Sequence, residues 1–294
     1  NNPSSGILSY SWNMIGSGTY ASGTSTSPNP EYVYDTCGIY NVQLTVTDSN
    51  GCTNIITIPV TVWCNPEAAF TAPPLCFDDQ PMIFNDITTW GSGNPATWNW
   101  TMNTDGNGTG SYEPGMNNTL PSTEYSFDSC GIHPVQILII DDNGCRDSTI
   151  QNVEVYCEPT ADFDYIPECV GTNTIFTSTS SSDTTITSWL WNMGGPGTWI
   201  GTSANSENPV FVYNTCGVYT VRLSIEDATG CNDTIEKSID VYCSPIANFQ
   251  TDPVCQNETT VFTNLSTQGN NPSSGILSYS WNMIGSGTYA SGTS

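Results

Sequence analysis

Apolar and polar residues alternate with a period of two along several short stretches of the chain. In residues 40–47, tyrosine, valine and leucine alternate with asparagine, glutamine and threonine. Residues 219–226 show the same alternation. A period of two with one apolar face is typical of a β-strand that buries one side. Both segments are therefore predicted to be half-buried strands.

A polar turn and a second strand follow each of these segments. The turns begin with aspartate and end with glycine, at residues 48–51, 141–144 and 227–230. Such turns favour hairpins, and Pro59 inside one of the second strands indicates a sheet edge. No stretch has a useful length of helical periodicity. Seven or so short strands in about 90 residues predict an all-β antiparallel sandwich.

The cysteines reveal an internal repeat. Within each group of four the gaps are 15, 12 and 12 residues, and the first cysteines of successive groups lie 93 and 86 residues apart. Residues 270–294 also match residues 1–25 letter for letter, so a superperiod of 269 residues holds three related units. The twelve cysteines are Cys37, Cys52, Cys64, Cys76, Cys130, Cys145, Cys157, Cys169, Cys216, Cys231, Cys243 and Cys255.

The repeat divides the chain into four segments. We expect residues 65–157 and 158–243 to be complete domains, residues 1–64 to be the C-terminal part of a domain, and residues 244–294 to be the N-terminal part of the next. Neither part would bury a core alone, so we interpret the sequence as a window on a longer polypeptide. The alternative is a short fibre subunit whose halves complete each other head to tail by strand exchange.

Composition and charge narrow the class of protein. Three basic and 28 acidic residues give a net charge of −25, which excludes nucleic-acid binding because almost nothing could neutralise phosphates. The charge also argues against docking on an anionic membrane, and no apolar run approaches the roughly 18 residues of a membrane span. Twelve cysteines with one histidine and no Cys-x-x-Cys spacing predict disulfides and an extracellular location.

Several motifs occur in the same order in each unit. An aromatic strand and a Gly-rich turn precede Asn-Pro-x-aromatic-x-Tyr, and Gly-x-Tyr-x-Val-x-Leu follows, as at residues 191–195, 208–213 and 217–223. On these residues, nearly the whole chain resembles the PKD domain, an immunoglobulin-like sandwich with a Trp-x-Phe-Gly-Asp-Gly hairpin. Methionine replaces that phenylalanine, and the middle unit departs most, with His133 where its neighbours have tyrosine.

Cysteine-rich PKD arrays with near-identical blocks are similar to the giant surface adhesins of gliding Bacteroidetes, including SprB-like proteins. This resemblance implies type IX secretion, outer-membrane attachment through other segments, and contact with the surface motility machinery. Linkers of two or three residues with a proline follow Cys64, Cys157 and Cys243 and predict a stiff rod. The predicted function is the stalk or filament shaft of a very large adhesin, which carries load and contacts neighbouring repeats of its own chain.

A polysaccharide-binding array is the alternative function. Tyr20, Tyr112 and Trp199 lie beyond the Gly-rich hairpins, and an exposed row of such rings would stack on sugars. The aromatic pairs 10/12, 98/100 and 189/191 lie on one strand face each and are expected in the core. Exposed recurrent aromatics would favour binding, whereas buried ones favour the shaft.

No enzyme activity is expected. His133 occurs in one unit of three and is interpreted as a structural replacement for tyrosine. The adjacent carboxylates Asp78–Asp79 and Asp141–Asp142 lie in turns, and adjacency in a turn supplies neither the cleft nor the separated pKa values that acid–base catalysis needs.

The disulfide pairing is predicted from the resemblance to a sandwich. In such a sandwich, the first cysteine of a group lies just before the sixth strand, at one end of the domain. The fourth cysteine of the preceding group lies at the same end. We therefore predict the bonds Cys76–Cys130 and Cys169–Cys216 within domains. The second cysteine lies at the opposite pole, beside the preceding linker, which predicts Cys64–Cys145 and Cys157–Cys231 across junctions. Cys37, Cys52, Cys243 and Cys255 would pair outside the segment. A Cys37–Cys64 bond within one hairpin is the main competitor.

No cofactor is expected apart from calcium. Asp48, Asp141 and Asp227 recur after the sixth strand, where they would either bind calcium at a domain junction or cap Asx turns. Residues 103–108 faintly resemble a calcium loop but lack its closing glutamate. Asp-Ser/Thr triplets look like the O-glycosylation motif of Bacteroidetes and predict glycans on Ser148, Thr184 and Thr234.

Overall fold

A computed structural model describes residues 6–104, 106, 109–269 and 278–284. The regular structure in this part is β-strand apart from one short 3-10 turn at Phe77–Asp79, so the all-β prediction is confirmed. The chain divides into two compact units, Asn1–Tyr156 and Cys157–Ser294. The strands of the first unit are β1 Ile7–Asn13, β2 Gly18–Ser22, β3 Glu31–Tyr34, β4 Gly38–Asp48, β5 Thr53–Val62, β6 Phe70–Thr71, β7 Leu75–Cys76, β8 Met82–Asp86, β9 Pro95–Thr101, β10 Gly110–Tyr112, β11 Ser122–Phe127, β12 Gly131–Asp141 and β13 Arg146–Tyr156. The strands of the second unit are β14 Phe163–Tyr165, β15 Glu168–Cys169, β16 Asn173–Ser178, β17 Ile186–Asn192, β18 Gly197–Trp199, β19 Val210–Tyr213, β20 Gly217–Asp227, β21 Asn232–Tyr242, β22 Phe249–Gln250 and β23 Thr263–Asn264.

Strands β6–β13 form a complete sandwich, called here the middle sandwich. One sheet has the order β10-β11-β8-β6 and the other β7-β13-β12-β9. All pairs are antiparallel except β7 with β13, which run parallel. Alternate residues of both sheets point inward, and Phe84, Trp100 and Ile137 are among the buried side chains of one continuous core.

Strands β14–β21 form a second complete sandwich of the same topology, called here the third sandwich. Its sheets have the orders β14-β16-β19-β18 and β15-β21-β20-β17, with β15 parallel to β21. Phe176, Trp191 and Leu223 are buried in its own core. Each complete sandwich therefore has eight strands, close to the seven or so that the alternation predicts.

The first five strands form only part of such a sandwich, called here the N-terminal half-sandwich. β4 lies between β1 and β5 in a three-stranded sheet, and β2 pairs with β3. Residues 40–47 lie in β4 and residues 219–226 lie in β20, so both strand predictions are confirmed. β5 is an edge strand of its sheet, as Pro59 indicates.

A short segment at the other end, called here the C-terminal segment, comprises β22, β23 and residues 278–284. Phe249 pairs with Asn264 across β22 and β23, and Ile246 forms a bridge with Thr267. The same bridge opens both complete sandwiches, between Glu67 and Thr89 and between Thr160 and Ser181. The segment thus has the pattern with which a sandwich begins.

The predicted turns join the long hairpins β4–β5, β12–β13 and β20–β21. Each turn ends in a glycine with positive φ, +90° at Gly230, a conformation that side chains with a Cβ rarely adopt. The β20–β21 ladder continues without a register shift from Gly217–Val241 to Glu226–Asn232. The turn chemistry therefore sets the register of the longest strand pair in each sandwich.

Candidate functional site

Two disulfides close the long hairpins. Cys37 bonds Cys64 with a Cα–Cα distance of 4.8 Å, and Cys216 bonds Cys243 at 5.0 Å. The pairs Gly38–Val62 and Gly217–Val241 end the two antiparallel ladders, so the cysteines that flank them meet. The competing prediction of a Cys37–Cys64 bond is confirmed.

The same bonds overturn several predicted pairings. Cys64–Cys145 and Cys169–Cys216 are wrong, because Cys64 and Cys216 bond within their hairpins, and Cys145 and Cys169 are free. The prediction that Cys37 and Cys243 pair outside the segment is also wrong. The physical reason is the register of the hairpin. It places the cysteines at the two ends of one strand pair next to each other, so they bond to each other and not to cysteines elsewhere in the sandwich.

Cys76, Cys130, Cys157 and Cys231 are also disulfide-bonded. Cys130 and Cys157 flank the pair Gly131–Val155, the last pair of the β12–β13 ladder. Gly38–Val62 and Gly217–Val241 are the last pairs of the β4–β5 and β20–β21 ladders in the same way. The two defined hairpin bonds therefore favour the hairpin pairing here over the predicted Cys76–Cys130 and Cys157–Cys231 bonds.

Four cysteines are free: Cys52, Cys145, Cys169 and Cys255. Cys52 and Cys145 end hairpin turns, whereas Cys169 lies in the short strand β15. Burial, with a smaller contribution from Asp141, raises the pKa of the Cys145 thiol and makes its thiolate scarcer at neutral pH. That Cys52 and Cys255 pair with cysteines outside the segment stays a prediction.

The three aspartates predicted as calcium ligands all cap their own turns. One carboxylate oxygen of Asp48 accepts the amides of Asn50 and Cys52, each at 2.9 Å. Oδ1 of Asp141 accepts the amides of Asn143 at 3.0 Å and Cys145 at 2.8 Å. The Asx-turn alternative accounts for these contacts.

The second carboxylate oxygens of Asp141 and Asp227 differ. Oδ2 of Asp227 accepts the hydroxyls of Ser182 at 2.8 Å and Thr184 at 3.0 Å. Oδ2 of Asp141 is buried without a hydrogen-bond partner, beside Gly93, whose added Cβ would lie 2.3 Å from it. Of these two buried carboxylates, Asp227 therefore has hydrogen bonds to both oxygens, whereas Asp141 has hydrogen bonds to one oxygen.

The faint calcium loop at residues 103–108 lies partly outside the described residues, at Asp105, Asn107 and Gly108. Asn103, at its start, is buried with a φ of +51°. Its side chain lies 2.9 Å from Nδ1 of His133. Asn103 is thus engaged with the strand β12 rather than open to an ion.

Four aromatic side chains form a ladder in each sandwich. In the third sandwich Trp199 meets Phe211 edge-on at 4.9 Å, Phe211 meets Tyr213 edge-on at 4.9 Å, and Tyr213 stacks on Tyr219 at 4.5 Å. The same geometry recurs in the N-terminal half-sandwich, in the ladder Tyr20–Tyr32–Tyr34–Tyr40, and in the middle sandwich, in the ladder Tyr112–Tyr125–Phe127–His133. Burial raises the pKa of Tyr213.

Tyr20, Tyr112 and Trp199 are consequently half-buried ladder ends and not an exposed row. Sequence reasoning proposed their exposure because it missed their partners, Tyr32, Tyr125 and Phe211. The signal was present in the Asn-Pro-x-aromatic-x-Tyr motif, whose alternate aromatics share one strand face. The geometry favours packing over an open sugar-stacking surface.

His133 replaces a tyrosine in the core, as predicted. It is 4% exposed and stacks on Phe127 at 4.0 Å. Its Nε2 lies 2.9 Å from the carbonyl oxygen of Ser129, four residues earlier. In the third sandwich the Tyr219 hydroxyl donates to the carbonyl of Thr215, also four residues earlier, at 2.7 Å.

The tryptophans on β1, β9 and β17 pack toward the cores, as expected. Trp100 and Trp191 are 2% and 3% exposed, and their indole N–H groups donate to the carbonyls of Leu120 at 2.8 Å and Ser206 at 2.9 Å. Trp12 makes the equivalent bond to Ser27 at 3.0 Å but is only half-buried.

The predicted glycan acceptors are all exposed. Ser148 and Thr234 lie on β13 and β21, whereas Thr184 lies before β17 and donates to Asp227. Exposure is compatible with modification, which stays a prediction.

The adjacent carboxylates lie in turns. Asp78 and Asp79 lie in the 3-10 turn, and Asp142 accepts two hydrogen bonds from Asn94, which lower the pKa of its carboxyl. Across the described ranges no helix is long and apolar enough to cross a membrane.

Comparison with known proteins places these features in a family. A family model described as the PKD domain matches residues 1–62 and 157–243, together about half of the chain. The PKD1 domain of the Vibrio cholerae metalloprotease PrtV is 30% identical over 29% of this chain and 96% of that chain, with a TM-score of 0.25. The PKD1 domain of Vibrio anguillarum Epp is 24% identical over 29% and 93%, with a TM-score of 0.25. The insect immune protein hemolin is 12% identical over 80% and 68%, with a TM-score of 0.34. No curated protein matches the chain. The chain belongs to the PKD domain family.

Proposed function

We propose that this chain is a load-bearing segment of the shaft of a large extracellular adhesin. Its PKD sandwiches follow one another through short linkers, so tension on the polypeptide passes through every domain in series. The observation that carries the proposal is the parallel pairing of the second strand with the last strand of each complete sandwich. It is supported by the disulfides at the strand ends and by the packed aromatic ladders.

The second and the last strand pair parallel to each other in both complete sandwiches, β7 with β13 and β15 with β21. Leu75 and Cys76 pair with Val155 and Tyr156, and β15 pairs with the end of β21 in the same way. The Val170 amide extends the second pair by donating to the carbonyl of Tyr242 at 2.8 Å. Tension pulls the first of these two strands toward the N-terminus and the other toward the C-terminus. Because the strands are parallel, the two forces are opposite and run along the strands, so all the hydrogen bonds between them are loaded together, in shear. Antiparallel strands would instead be unzipped one bond at a time.

The hairpin disulfide protects the exit strand of the third sandwich. Tension that leaves at Cys243 passes through the sulfur–sulfur bond to Cys216, at the start of β20. β21 therefore cannot be peeled from β20 while the bond is intact. The β20–β21 hairpin also stays closed after the rest of the sandwich unfolds, which limits the extension that one unfolding event releases.

The acidic surface fits a long secreted array. A net charge of −25 makes neighbouring shafts repel each other and keeps them soluble. The resemblance to the adhesins of gliding Bacteroidetes supports secretion by the type IX system, attachment at the cell surface and contact with a motility machinery. Surface polysaccharide as a partner has weaker support, because the rings that would stack on sugars are packed against their own sandwiches. Catalysis has no support in the arrangement of the carboxylates.

Single-molecule pulling on the full chain tests this function. We expect the unfolding force of the third sandwich to fall when Val170→Pro removes the amide that bonds Tyr242, and Val170→Ala controls for lost packing because it keeps that amide. The chain should also release more length when Cys216 and Cys243 are replaced by serine. The bond spans 27 residues, so the gain is about 90 Å at ~3.5 Å per residue. Equal forces for the two Val170 variants, or equal lengths with and without the bond, would contradict the proposal.

A further inference from the structure

We propose that the middle sandwich carries a docking surface for the same surface of a second copy of this chain. The surface is the outward side of the sheet β7-β13-β12-β9, called here the outer face, and it lies within one complete sandwich. This inference concerns contact between chains and goes beyond load bearing, because it holds whether or not the chains carry tension. A stripe of apolar residues runs along the outer face, formed by Ile132, Pro134, Leu138, Ile140 and Ile150.

The burial pattern shows that the stripe points away from the core. Every second residue of β12 from His133 to Asp141 is buried, so the residues between them point outward. Ile150 of β13 pairs with Gln136 and therefore lies on the same side of the sheet. Ile132 and Ile150 are 64% and 57% exposed, and the other three members of the stripe are half-buried. The middle sandwich thus presents a continuous apolar stripe on its outside.

The third sandwich has the same topology but a more polar outer face. The register of the two hairpins aligns β12 with β20 and places His133 at the position of Tyr219. The five positions of the stripe hold, in the same order, Val218, Thr220, Ser224, Glu226 and Glu236 in the third sandwich. Because the sheet forms equally with these residues, the fold does not require an apolar stripe. Cover by a partner explains why the middle sandwich has one.

The outer face holds one charge of each sign, at opposite ends. Arg146 pairs with Ile140 at one end of the β12–β13 ladder, and Glu154 pairs with Ile132 near the other end. The remaining outward positions of β9, β12 and β13 carry uncharged side chains. The whole chain has a net charge of −25, so the repulsion between two copies is smallest where their outer faces meet.

Arg146 and Glu154 are too far apart to pair with each other within one chain. Eight residues of β13 separate them, which is about 27 Å along a strand. Neither side chain forms an ion pair in the part of the chain that the structure describes. The arginine of the third sandwich differs, because Arg222 has Glu236 as its direct cross-strand neighbour. The outer face of the middle sandwich therefore offers two charges that a partner can satisfy.

A second copy satisfies both charges when the two outer faces stack with their strands antiparallel. A two-fold axis across the strands then places Arg146 of each copy over Glu154 of the other. Ile150 lies midway between these two residues on β13 and faces its own equivalent, so one apolar stripe covers the other. Parallel stacking would instead bring arginine onto arginine. Charge complementarity therefore favours a second copy in the antiparallel orientation.

The size of the outer face predicts a weak contact. Three strands at their usual spacing and the length between the two charges give roughly 400 Å² per copy. The total of about 800 Å² is smaller than the ~1,200 Å² of a standard stable interface. Two chains are therefore expected to associate transiently, and the contact has to be trapped to be measured.

Chemical cross-linking of the full chain tests the docking surface. The variant Ile150→Cys is made with the four free cysteines replaced by serine, and a bismaleimide bridges the ~10 Å between packed sheets. We expect covalent dimers joined at position 150 of both copies. Glu236→Cys is the matched control, because it stands at the same position of the third sandwich, and it should give severalfold fewer dimers. Equal yields from the two variants, or no dimer from Ile150→Cys, would overturn the proposal.

Charge exchange tests the orientation in the same Ile150→Cys background. Arg146→Glu should lower the dimer yield severalfold, because each end of the contact then brings two carboxylates together. Glu154→Arg alone should also lower the yield, although it reduces the net negative charge that makes the chains repel each other. The two substitutions together should restore the yield, because opposite charges meet again in an antiparallel stack.

Shortening the stripe tests its apolar contribution. Leu138→Ser introduces the residue that β20 has at this position, so it should preserve the fold and lower the dimer yield. A yield that is unaffected by Arg146→Glu, or that the double exchange does not restore, would refute antiparallel docking of a second copy. A yield that Leu138→Ser leaves unchanged would show that the stripe is not the contact.

Discussion

The hydroxyl of Tyr219 donates to the carbonyl of Thr215 at 2.7 Å, and Tyr40 makes the same bond to Thr36 at 2.7 Å. Each tyrosine ends an aromatic ladder and stands just after the first cysteine of its hairpin. The bond therefore ties the ladder to the segment that leads into the disulfide. His133 keeps this link in the middle sandwich with a ring nitrogen in place of the hydroxyl.

Removing the hydroxyl should loosen that end of the third sandwich. Tyr219→Phe keeps the stacked ring but loses the bond to Thr215, so we expect the free energy of unfolding to fall by about 1 kcal/mol. The measurement is hydrogen exchange of the β20 amides in the full chain. Thr215→Val separates two contacts, because it keeps the backbone carbonyl but removes the Thr215 hydroxyl, which also lies 2.7 Å from the Tyr219 hydroxyl. A Tyr219→Phe variant with unchanged exchange would show that water replaces the hydroxyl without loss.

The strands could be predicted because their alternation is local. Residues 40–47 and the turn at Asp48 contain all the information that makes β4 a strand and joins it to β5. The disulfides could not be predicted from a general sandwich topology, because pairing depends on register, which joins residues far apart in the chain. One local signal was missed: Cys37 and Cys64 are equally distant from the turn at Asn50–Gly51, so an unbroken hairpin must bring them together.

The burial of the aromatic ladders could not be predicted from single strands. Tyr20 and Trp199 could be identified as recurrent, but their exposure could not be predicted, because it depends on a partner in the neighbouring strand. Tyr20 pairs directly with Tyr32 across β2 and β3, and the two rings meet edge-on. Periodicity indicates which residues share a face of one strand. Whether a side chain on the neighbouring strand covers them depends on which strands pair and in which register.

The turn carboxylate of Asp227 should make the third sandwich sensitive to acid. Burial alone would raise its pKa, but hydrogen bonds from Thr229, Ser182 and Thr184 outweigh burial and lower the pKa to about 2 from its ordinary value of 3.8. A group whose pKa is lower in the folded state stabilises the fold above its unfolded pKa. This contribution should be complete near neutral pH and disappear as the pH falls from about 4 to about 2.

Asp227→Asn tests this dependence because it removes the charge and keeps the shape. The stability of the variant should be lower near neutral pH and should change less between pH 4 and pH 2 than that of the unmodified chain. Acid unfolding followed by hydrogen exchange of β20 and β21 gives the comparison. Parallel pH curves for the two proteins would show that the lowered pKa does not contribute to folding.

The Cys216–Cys243 bond should contribute strongly to stability. It closes a loop of 27 residues, for which loop entropy gives about 3.5 kcal/mol. Replacing both cysteines by serine should lower the free energy of unfolding of the third sandwich by this order, measured by denaturant titration. The comparison is made between the two oxidised proteins, because reduction would also break the disulfide of Cys231 in this sandwich. A loss well below 1 kcal/mol would mean that the hairpin remains closed in the unfolded chain.

The indole of Trp189 offers a site for stabilisation. Its Nε1 is buried without a hydrogen-bond partner, whereas Nε1 of Trp98, at the same place in the middle sandwich, donates to Oδ2 of Asp86 at 2.8 Å. Ser178 stands at the position of Asp86, since it pairs with Phe163 as Asp86 pairs with Phe70. Ser178→Asn would bring an amide oxygen toward the indole without adding charge. We expect a gain of about 1 kcal/mol in the free energy of unfolding.

A double-mutant cycle separates this hydrogen bond from other effects of the substitution. Trp189→Phe removes the donor, so Ser178→Asn should give no gain in that background, and the coupling energy should be about 1 kcal/mol. Denaturant titration of the four proteins supplies the cycle. A gain that persists without the indole would come from the new side chain itself, and no gain in either background would mean that the asparagine does not reach Nε1. In both cases the buried N–H would not be the weak point of the third sandwich.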